Sequence, residues 1–226
     1  MRGRRQTARV ASSTVPFALR SWAKLSPRSI SRPPGSEASA ETDRLVQLSG
    51  DLLLIAVSDR GRVPLKREPL RADELLESVR NRFAWRAGQA GRALEVHAPE
   101  GAMLDGDRLR LEQALGNLVD NALRHGEGCV RVEARHVDSH VRLSVSDGGR
   151  GFDRAFEPRA FDRFTRGDES HSGAGAGLGL AIVDAIARAH GGHASIGGDA
   201  GRRTEVTLEL RSRYTGAAWT ESRRER

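Results

Sequence analysis

The chain has 226 residues, of which 38% are hydrophobic, and this is enough for one domain of ordinary size with short appendages. Its single cysteine, Cys129, excludes an intramolecular disulfide and a cysteine-based metal cluster, and no apolar run approaches the roughly 18 residues of a membrane-spanning helix. The net charge of +7 comes from the ends, because residues 1–40 alone hold eight basic side chains and one acidic one. A nucleic-acid-binding domain concentrates its basic residues on a folded face, so this distribution argues against nucleic-acid binding.

The first 62 residues divide into two segments of different character. Residues 1–40 mix Arg, Ser and Pro without a periodic pattern, which predicts a disordered or degenerate leader, although the composition also resembles a transit peptide. In residues 41–62, by contrast, Leu48, Leu52 and Ile55 recur at helical spacing. A helix with such an apolar stripe needs a partner. The partner is either a second copy of the chain, in a coiled-coil-like dimer, or the core of the same domain.

The stretch from residue 63 to residue 212 alternates between helical and strand patterns. An extended connector at residues 64–69 leads into it, and a disordered tail at residues 213–226 is predicted to follow. The predicted helices cover residues 71–87, 107–125 and 177–190, the second capped by Asp105 or Asp107, and the predicted strands cover residues 93–97, 129–134, 140–145, 193–196 and 205–210. This order predicts a mixed sheet with three helices on one face, a two-layer α/β sandwich.

The second predicted helix carries a polar face beside its buried stripe. Asn117, Asn121 and Arg124 lie at positions i, i+4 and i+7, so they stack one above another. Amide oxygens in such a row can coordinate a hard cation, and the arginine can meet phosphate oxygens. Taken alone, asparagines in a helix are more often solvated.

A carboxylate and a group of glycines follow the strand at residues 140–145. Asp147 at the end of this strand can accept a hydrogen bond from an exocyclic amine such as that of adenine. Gly149 and Gly151 let the backbone approach a flat base without obstruction by a Cβ atom. An ordinary glycine turn is the alternative interpretation of this segment.

A second glycine-rich run leads directly into the third predicted helix. Gly175, Gly177 and Gly179 would leave main-chain amides open to phosphate oxygens at the start of a helix. The run lacks the Gly-Lys-Ser/Thr ending of a P-loop, and no strand precedes it as a dinucleotide fingerprint requires. Together with the two preceding segments, it predicts a nucleotide pocket.

In this combination, the chain resembles the ATP-binding domain of bacterial sensor histidine kinases of two-component systems, whose Bergerat (GHKL) fold is shared with gyrase, Hsp90 and mismatch-repair ATPases. Residues 117–125 resemble the N box, residues 161–166 the F box, and residues 41–62 the second helix of the dimerisation hairpin. The resemblance implies that Asn121 holds Mg²⁺ and that the bound nucleotide is ATP. The residues implied for ATP binding are Asn117, Asn121, Arg124, His125, Asp147, Gly149, Gly151, Phe161, Arg166, Gly175, Gly177, Leu178, Gly179 and Thr204.

Two features refine what the resemblance implies. Asn117 occupies the position at which the related hydrolases carry a glutamate base, and an amide cannot serve as that base. In addition, the family's first hairpin helix carries a phosphoacceptor histidine, whereas no histidine precedes His97 in this sequence.

The resemblance therefore implies phosphoryl transfer from Mg-ATP to a histidine that another kinase chain supplies, with a response regulator as a further partner. A homodimer through residues 41–62 and a cytoplasmic location, as part of a sensor, are also implied. The alternatives are an ATP-sensing regulatory module, an anti-sigma-type serine kinase and, more weakly, an ATPase.

Overall fold

The structure is a computed structural model that describes residues 49–58, 63–99, 102–137, 139–153, 155–165, 176–198 and 203–211, all within the unit Leu45–Arg226. The predicted leader, the start of the first predicted helix and the predicted tail lie outside these residues. The helices are α1 (residues 49–58), α2 (Ala72–Gln89), α3 (Arg108–His125) and α4 (Gly179–Ala189), and the strands are β1 (Glu68–Arg71), β2 (Leu94–His97), β3 (Met103–Gly106), β4 (Val130–Val137), β5 (His140–Asp147), β6 (His193–Gly197) and β7 (Thr204–Arg211).

Five strands form one mixed sheet in the order β2-β4-β5-β7-β6. Strands β2 and β4 are parallel, and the other neighbouring pairs are antiparallel. All five were predicted from the sequence, and the structure extends β4 and β5 by two or three residues beyond the predicted ends. In the antiparallel register of β5 and β7, Asp147 faces Thr204. The two residues therefore meet where β5 ends and β7 begins.

Helices α2, α3 and α4 cover one face of the sheet, as predicted. Each buries an apolar stripe in a single core, and the fully buried side chains include Leu75, Leu76, Leu111, Leu115, Leu118, Ile182 and Ile186. The other face carries charged pairs between neighbouring strands, such as Arg131 with Glu95 and Arg142 with Glu209. The two-layer α/β sandwich is thus confirmed.

A second, two-stranded sheet was not predicted. Strand β1 lies at the end of the predicted connector and pairs antiparallel with β3, so that Pro69 faces Asp105 and Leu70 faces Leu104. Both strands have four residues and no alternation that could have identified them, and one contains a proline. The pair closes the core below α3, where Leu70 and Leu104 are fully buried.

Helix α1 docks on the core through a face that differs from the predicted stripe: of that stripe, Ile55 is buried but Leu52 is 48% exposed. Leu54 and Ile55 are buried there, and Asp51 Oδ1 accepts a hydrogen bond from Gln113 Nε2 of α3 at 2.8 Å. Burial raises the pKa of the Asp51 carboxyl above its ordinary value. Leu53 remains 66% exposed, so docking occupies one side of the helix, and the predicted dimer through the other side stays a prediction. Among the described helices, none is both long and apolar enough to cross a bilayer.

Candidate functional site

Helix α3 begins at a side-chain cap. Asp107 precedes its first turn, and the carboxylate accepts a hydrogen bond from the main-chain N–H of Arg110 at 3.1 Å. Asp107, rather than Asp105, is therefore the cap. Asn117 and Asn121 lie half-buried along the exposed side of the helix.

The last turn of α3 is exposed and basic. It carries Arg124 and His125, and basic groups at a helix C-terminus interact favourably with the helix dipole. The predicted polar face thus ends in two exposed side chains that can carry positive charge.

The start of α4 lies beside this polar face. Asn117 Nδ2 donates a hydrogen bond of 3.5 Å to the main-chain oxygen of Gly179, the first residue of α4. No side chain caps the N-terminus of α4, and its first turn contains no acidic residue. Because main-chain N–H groups point outward at a helix start, this end of α4 suits a negatively charged ligand.

Asp147 lies in a pocket built from main chain. Only 7% of it is exposed, and its Oδ1 accepts a hydrogen bond of 2.7 Å from the N–H of Gly149. Thr204, opposite Asp147 on β7, accepts a hydrogen bond of 3.1 Å from the N–H of Gly151 at its Oγ1 atom. These hydrogen bonds bring together four of the predicted ATP-binding residues, Asp147, Gly149, Gly151 and Thr204.

The opposite wall of this pocket is Gly126, which the sequence prediction missed. A Cβ atom at this position would lie 2.3 Å from Cγ of Asp147, so only glycine allows such an approach. The N–H of Gly148 also donates to the main-chain oxygen of Glu127 at 2.8 Å. The signal in the sequence was the pair of glycines, 126 and 128, that directly follows the predicted N box.

The segment that resembles the F box contacts the second glycine run. Phe164 has a positive φ of 60°, and its N–H donates to the main-chain oxygen of Gly177 at 2.9 Å. Gly177 also has a positive φ, and a Cβ atom there would lie 2.9 Å from the main chain of Phe164. Phe161 packs against the core and Leu178 is buried. Two further predicted site residues, Arg166 and Gly175, lie outside the described part of the chain.

Asp120 was also missed, and it connects two arginines. Its carboxylate forms an ion pair with Arg86 of α2 and a second one with Arg124, whose Nε lies 2.8 Å from Asp120 Oδ2. The predicted phosphate-binding arginine therefore already has a carboxylate neighbour. Nothing in the pattern of α3 identifies this, because Arg86 lies 34 residues earlier in the sequence.

Of the described histidines, only His190 is buried. Helix α1 contains no histidine, and His190 is buried, with Nε2 accepting a hydrogen bond from the N–H of Asp107 at 3.0 Å. Nδ1 of His190 lies 2.8 Å from the main-chain oxygen of Ile186 and donates to it. Both ring nitrogens of His190 are therefore engaged with main chain.

Comparison with known proteins identifies the domain. Residues 106–214 match the family described as histidine kinase-, DNA gyrase B- and HSP90-like ATPase. A probable sensor histidine kinase, HK, of Mycobacterium tuberculosis is 38% identical over 173 residues, which are 76% of this chain and 45% of that protein. The sensor histidine kinase component HK1 of the same species is 46% identical over 107 residues, 46% of this chain and 62% of that protein.

A solved structure, full-length ShkA in complex with AMPPNP, superposes with a TM-score of 0.69 at 29% identity, and the match covers 78% of this chain and 38% of ShkA. The chain spans less than two thirds of the length of these relatives. The nucleotide pocket predicted from the glycine segments and the asparagine face thus lies in a domain whose relatives are kinases. The chain therefore carries a histidine kinase ATP-binding catalytic domain of the histidine kinase-, DNA gyrase B- and HSP90-like ATPase family, and its relatives are sensor histidine kinases.

Proposed function

We propose that this domain binds Mg-ATP between Asp147 and the start of α4, and presents the γ-phosphate to a histidine outside these 226 residues. The observation that carries the proposal is the meeting of separate sequence segments at one edge of the sandwich. Asn117 contacts the first residue of α4, and Gly126, at the end of α3, contacts Asp147. A groove between these contacts would have a flat end beside Asp147 and a polar end beside Asn117 and the start of α4.

At the flat end, Asp147 would bind the adenine amine. One oxygen of its carboxylate is already occupied by the N–H of Gly149, which leaves the second oxygen as an acceptor. Charge-assisted hydrogen bonds of this kind are about twice as strong as neutral ones. Gly149 and Gly151 leave room for the base beside the carboxylate.

At the polar end, Asn117, Arg124 and the first turn of α4 would face the phosphates, and Asn121 would hold Mg²⁺. The described part of the chain contains no group of three or more His, Cys, Asp or Glu residues that could hold a metal by itself. An amide oxygen together with substrate phosphates and water is a set of ligands that Mg²⁺ accepts. When bound, Mg²⁺ would neutralise charge that develops on the transferred phosphoryl group.

The acceptor would be an imidazole that attacks the γ-phosphorus. The part of this chain is to position the triphosphate, because phosphoryl transfer needs alignment and charge stabilisation more than a protein base. Asn117 has no proton-accepting group that could activate water, which favours transfer over hydrolysis. A relative is itself named a component of a sensor histidine kinase, and this fits an acceptor on a second chain.

Two partners follow from this proposal. The side of α1 that carries the exposed Leu53 would pair with a hairpin helix of a second chain, either another copy or a histidine-bearing kinase chain. A response regulator would then receive the phosphoryl group from the histidine.

The experiment that tests the proposal measures AMPPNP binding with and without Mg²⁺, and then follows γ-labelled ATP in the presence of a separate dimerisation hairpin that carries a phosphoacceptor histidine. We expect Mg-dependent binding and acid-labile label on the hairpin. Failure to bind AMPPNP would contradict the proposal. Acid-stable label would favour the serine kinase, and steady release of phosphate would favour the ATPase. Nucleotide binding without label or phosphate release would favour the ATP-sensing module.

A further inference from the structure

Among the described residues, the Arg92 side chain donates hydrogen bonds to four main-chain oxygens. Arg92 follows α2 after a turn at Gly91, which has a positive φ of 64°. Its Nε donates to the oxygen of Gly128 at 2.6 Å, and Nη2 donates to that of Glu127 at 2.8 Å. Nη1 donates to the oxygens of Ala122 and Gly126, the latter at 3.1 Å. One guanidinium thus connects the last turn of α3 to three successive residues of the following loop.

The loop that Arg92 holds is the wall of the Asp147 pocket. Gly126 is the residue whose added Cβ atom would lie 2.3 Å from Cγ and 2.4 Å from Oδ1 of Asp147. The main-chain oxygen of Glu127 accepts a hydrogen bond of 2.8 Å from the N–H of Gly148. Only this short loop separates the guanidinium from the carboxylate.

The Asp147 carboxylate is therefore fixed from two sides. The N–H of Gly149 holds Oδ1 at 2.7 Å on one side, and the main chain of Gly126 limits its rotation on the other. If the loop moved outward, the second restraint would be lost and the carboxylate could adopt other rotamers. An oriented carboxylate favours adenine, which offers an amine, over guanine, which offers an oxygen at the same place; a mobile carboxylate would not.

We propose that Arg92 is a positioning residue for recognition of the base: by holding residues 126–128 against Asp147, it keeps the carboxylate in the orientation that accepts the adenine amine. This proposal rests on the proposed function, since it assumes that Asp147 binds adenine. It assigns to the turn between α2 and β2 a role in nucleotide selectivity, although Arg92 lies behind the pocket wall.

The test compares Arg92→Gln and Arg92→Lys with the matched control Arg82→Gln. Arg82 is an exposed arginine of α2 whose guanidinium lies over the ring of Phe83. The dissociation constants of Mg-ATP, Mg-GTP and inorganic tripolyphosphate are measured together with the free energy of unfolding. We expect Arg92→Gln to weaken ATP binding about tenfold to a hundredfold, the range for loss of a hydrogen bond to a charged group.

The ratio of ATP affinity to GTP affinity distinguishes a role of Arg92 in base recognition from a purely structural role at the end of α3. Arg92→Gln is expected to reduce the preference for ATP over GTP and to leave tripolyphosphate binding unchanged. Arg92→Lys is expected to recover part of the preference, and Arg82→Gln to retain all of it. If Arg92→Gln is less stable but keeps the same ratio of ATP affinity to GTP affinity, the proposal is overturned.

A second variant keeps the test decisive if Arg92→Gln does not fold. Gly126 has φ −89° and ψ 176°, so alanine can adopt its backbone conformation. Its methyl group would lie 2.3 Å from Cγ of Asp147 and 2.7 Å from the main-chain oxygen of Ala122, so the carboxylate and the end of α3 would both have to shift. Gly126→Ala is expected to reduce the ratio of ATP affinity to GTP affinity at least tenfold with Arg92 intact. An unchanged affinity ratio would overturn the proposal. If the unaltered protein binds neither nucleotide, the proposed function fails, and that result differs from both of these.

Discussion

The two ends of the proposed nucleotide site differ in how far they are built before a ligand arrives. At the adenine end, Asp147 is 7% exposed and Gly149 is buried, and main-chain groups fix both. At the phosphate end, Arg124 and His125 are exposed side chains at the end of a helix. In the proposed site, recognition of the base would therefore use a preformed wall, whereas Arg124 and His125 at the phosphate end would have to be organised by the ligand.

Replacement of the adenine carboxylate is the largest test of this difference. Asp147→Asn would offer an amide that cannot accept from Gly149 and from the adenine amine in the same way, so ATP affinity is expected to fall about 100-fold. Calorimetry with ATP and with tripolyphosphate measures it, and tripolyphosphate binding should not change. Equal loss for both ligands would mean that the two ends are not separate.

Asn121→Ala tests the phosphate end, and the expected loss is smaller. It should remove about tenfold of the ATP affinity measured with Mg²⁺ and none of the affinity measured with EDTA, because the amide would act through the metal. The matched control is Asn81→Ala, an exposed asparagine on α2. A similar loss with and without Mg²⁺ would assign Asn121 to direct contact with the nucleotide and contradict its role as a metal ligand.

The sequence pattern indicated candidate residues at the adenine end of the proposed site, but not the contacts that hold them in place. Asp147, Gly149 and Gly151 were predicted as site residues because a carboxylate and glycines directly after a strand can be recognised in the local sequence. Gly126 and Arg92 were missed because their roles depend on contacts between segments about 20 to 35 residues apart.

The same limit applies to the fold. The five strands of the mixed sheet and the three covering helices could be predicted from periodicity, since their apolar residues recur with the period of a strand or a helix. Strands β1 and β3 could not, because each contributes one buried leucine, Leu70 or Leu104, and these two residues pair across 34 residues of sequence. Short strands of this kind are defined by their partner and not by their own pattern.

The buried end of α4 allows the fixed part of the domain to be tested by pH. Burial, followed by the charge of Arg67, lowers the pKa of His190, while its bond to Ile186 and the carboxylates of Asp105 and Asp107 oppose this. The folded state disfavours the charged imidazole, whereas the unfolded state binds the proton below about pH 6.5. The free energy of unfolding should therefore be highest above this pH and fall as the pH drops below it.

Chemical denaturation between pH 7.5 and pH 5 measures this effect, which we expect to be weaker in His190→Gln. The slope of the unfolding free energy with pH is compared between the two proteins. If His190→Gln retains the full slope, other groups cause the acid sensitivity.

Removal of the ion pair between Asp120 and Arg124 should have the smallest effect on ligand affinity. It tests the phosphate end of the proposed site directly. The carboxylate competes with any phosphate for the same guanidinium, whose Nε lies 2.8 Å from Asp120 Oδ2. Exposed ion pairs of this kind contribute about 0.2–1 kcal/mol, so Asp120→Asn is expected to raise tripolyphosphate affinity by no more than about fivefold. Glu77→Gln, which alters the exposed pair with Arg80 on α2, serves as the control. The gain should shrink at high salt, where such pairs are screened. Weaker binding in Asp120→Asn would instead show that the carboxylate orients Arg124, and the phosphate end would then be preorganised in the same way as the adenine end.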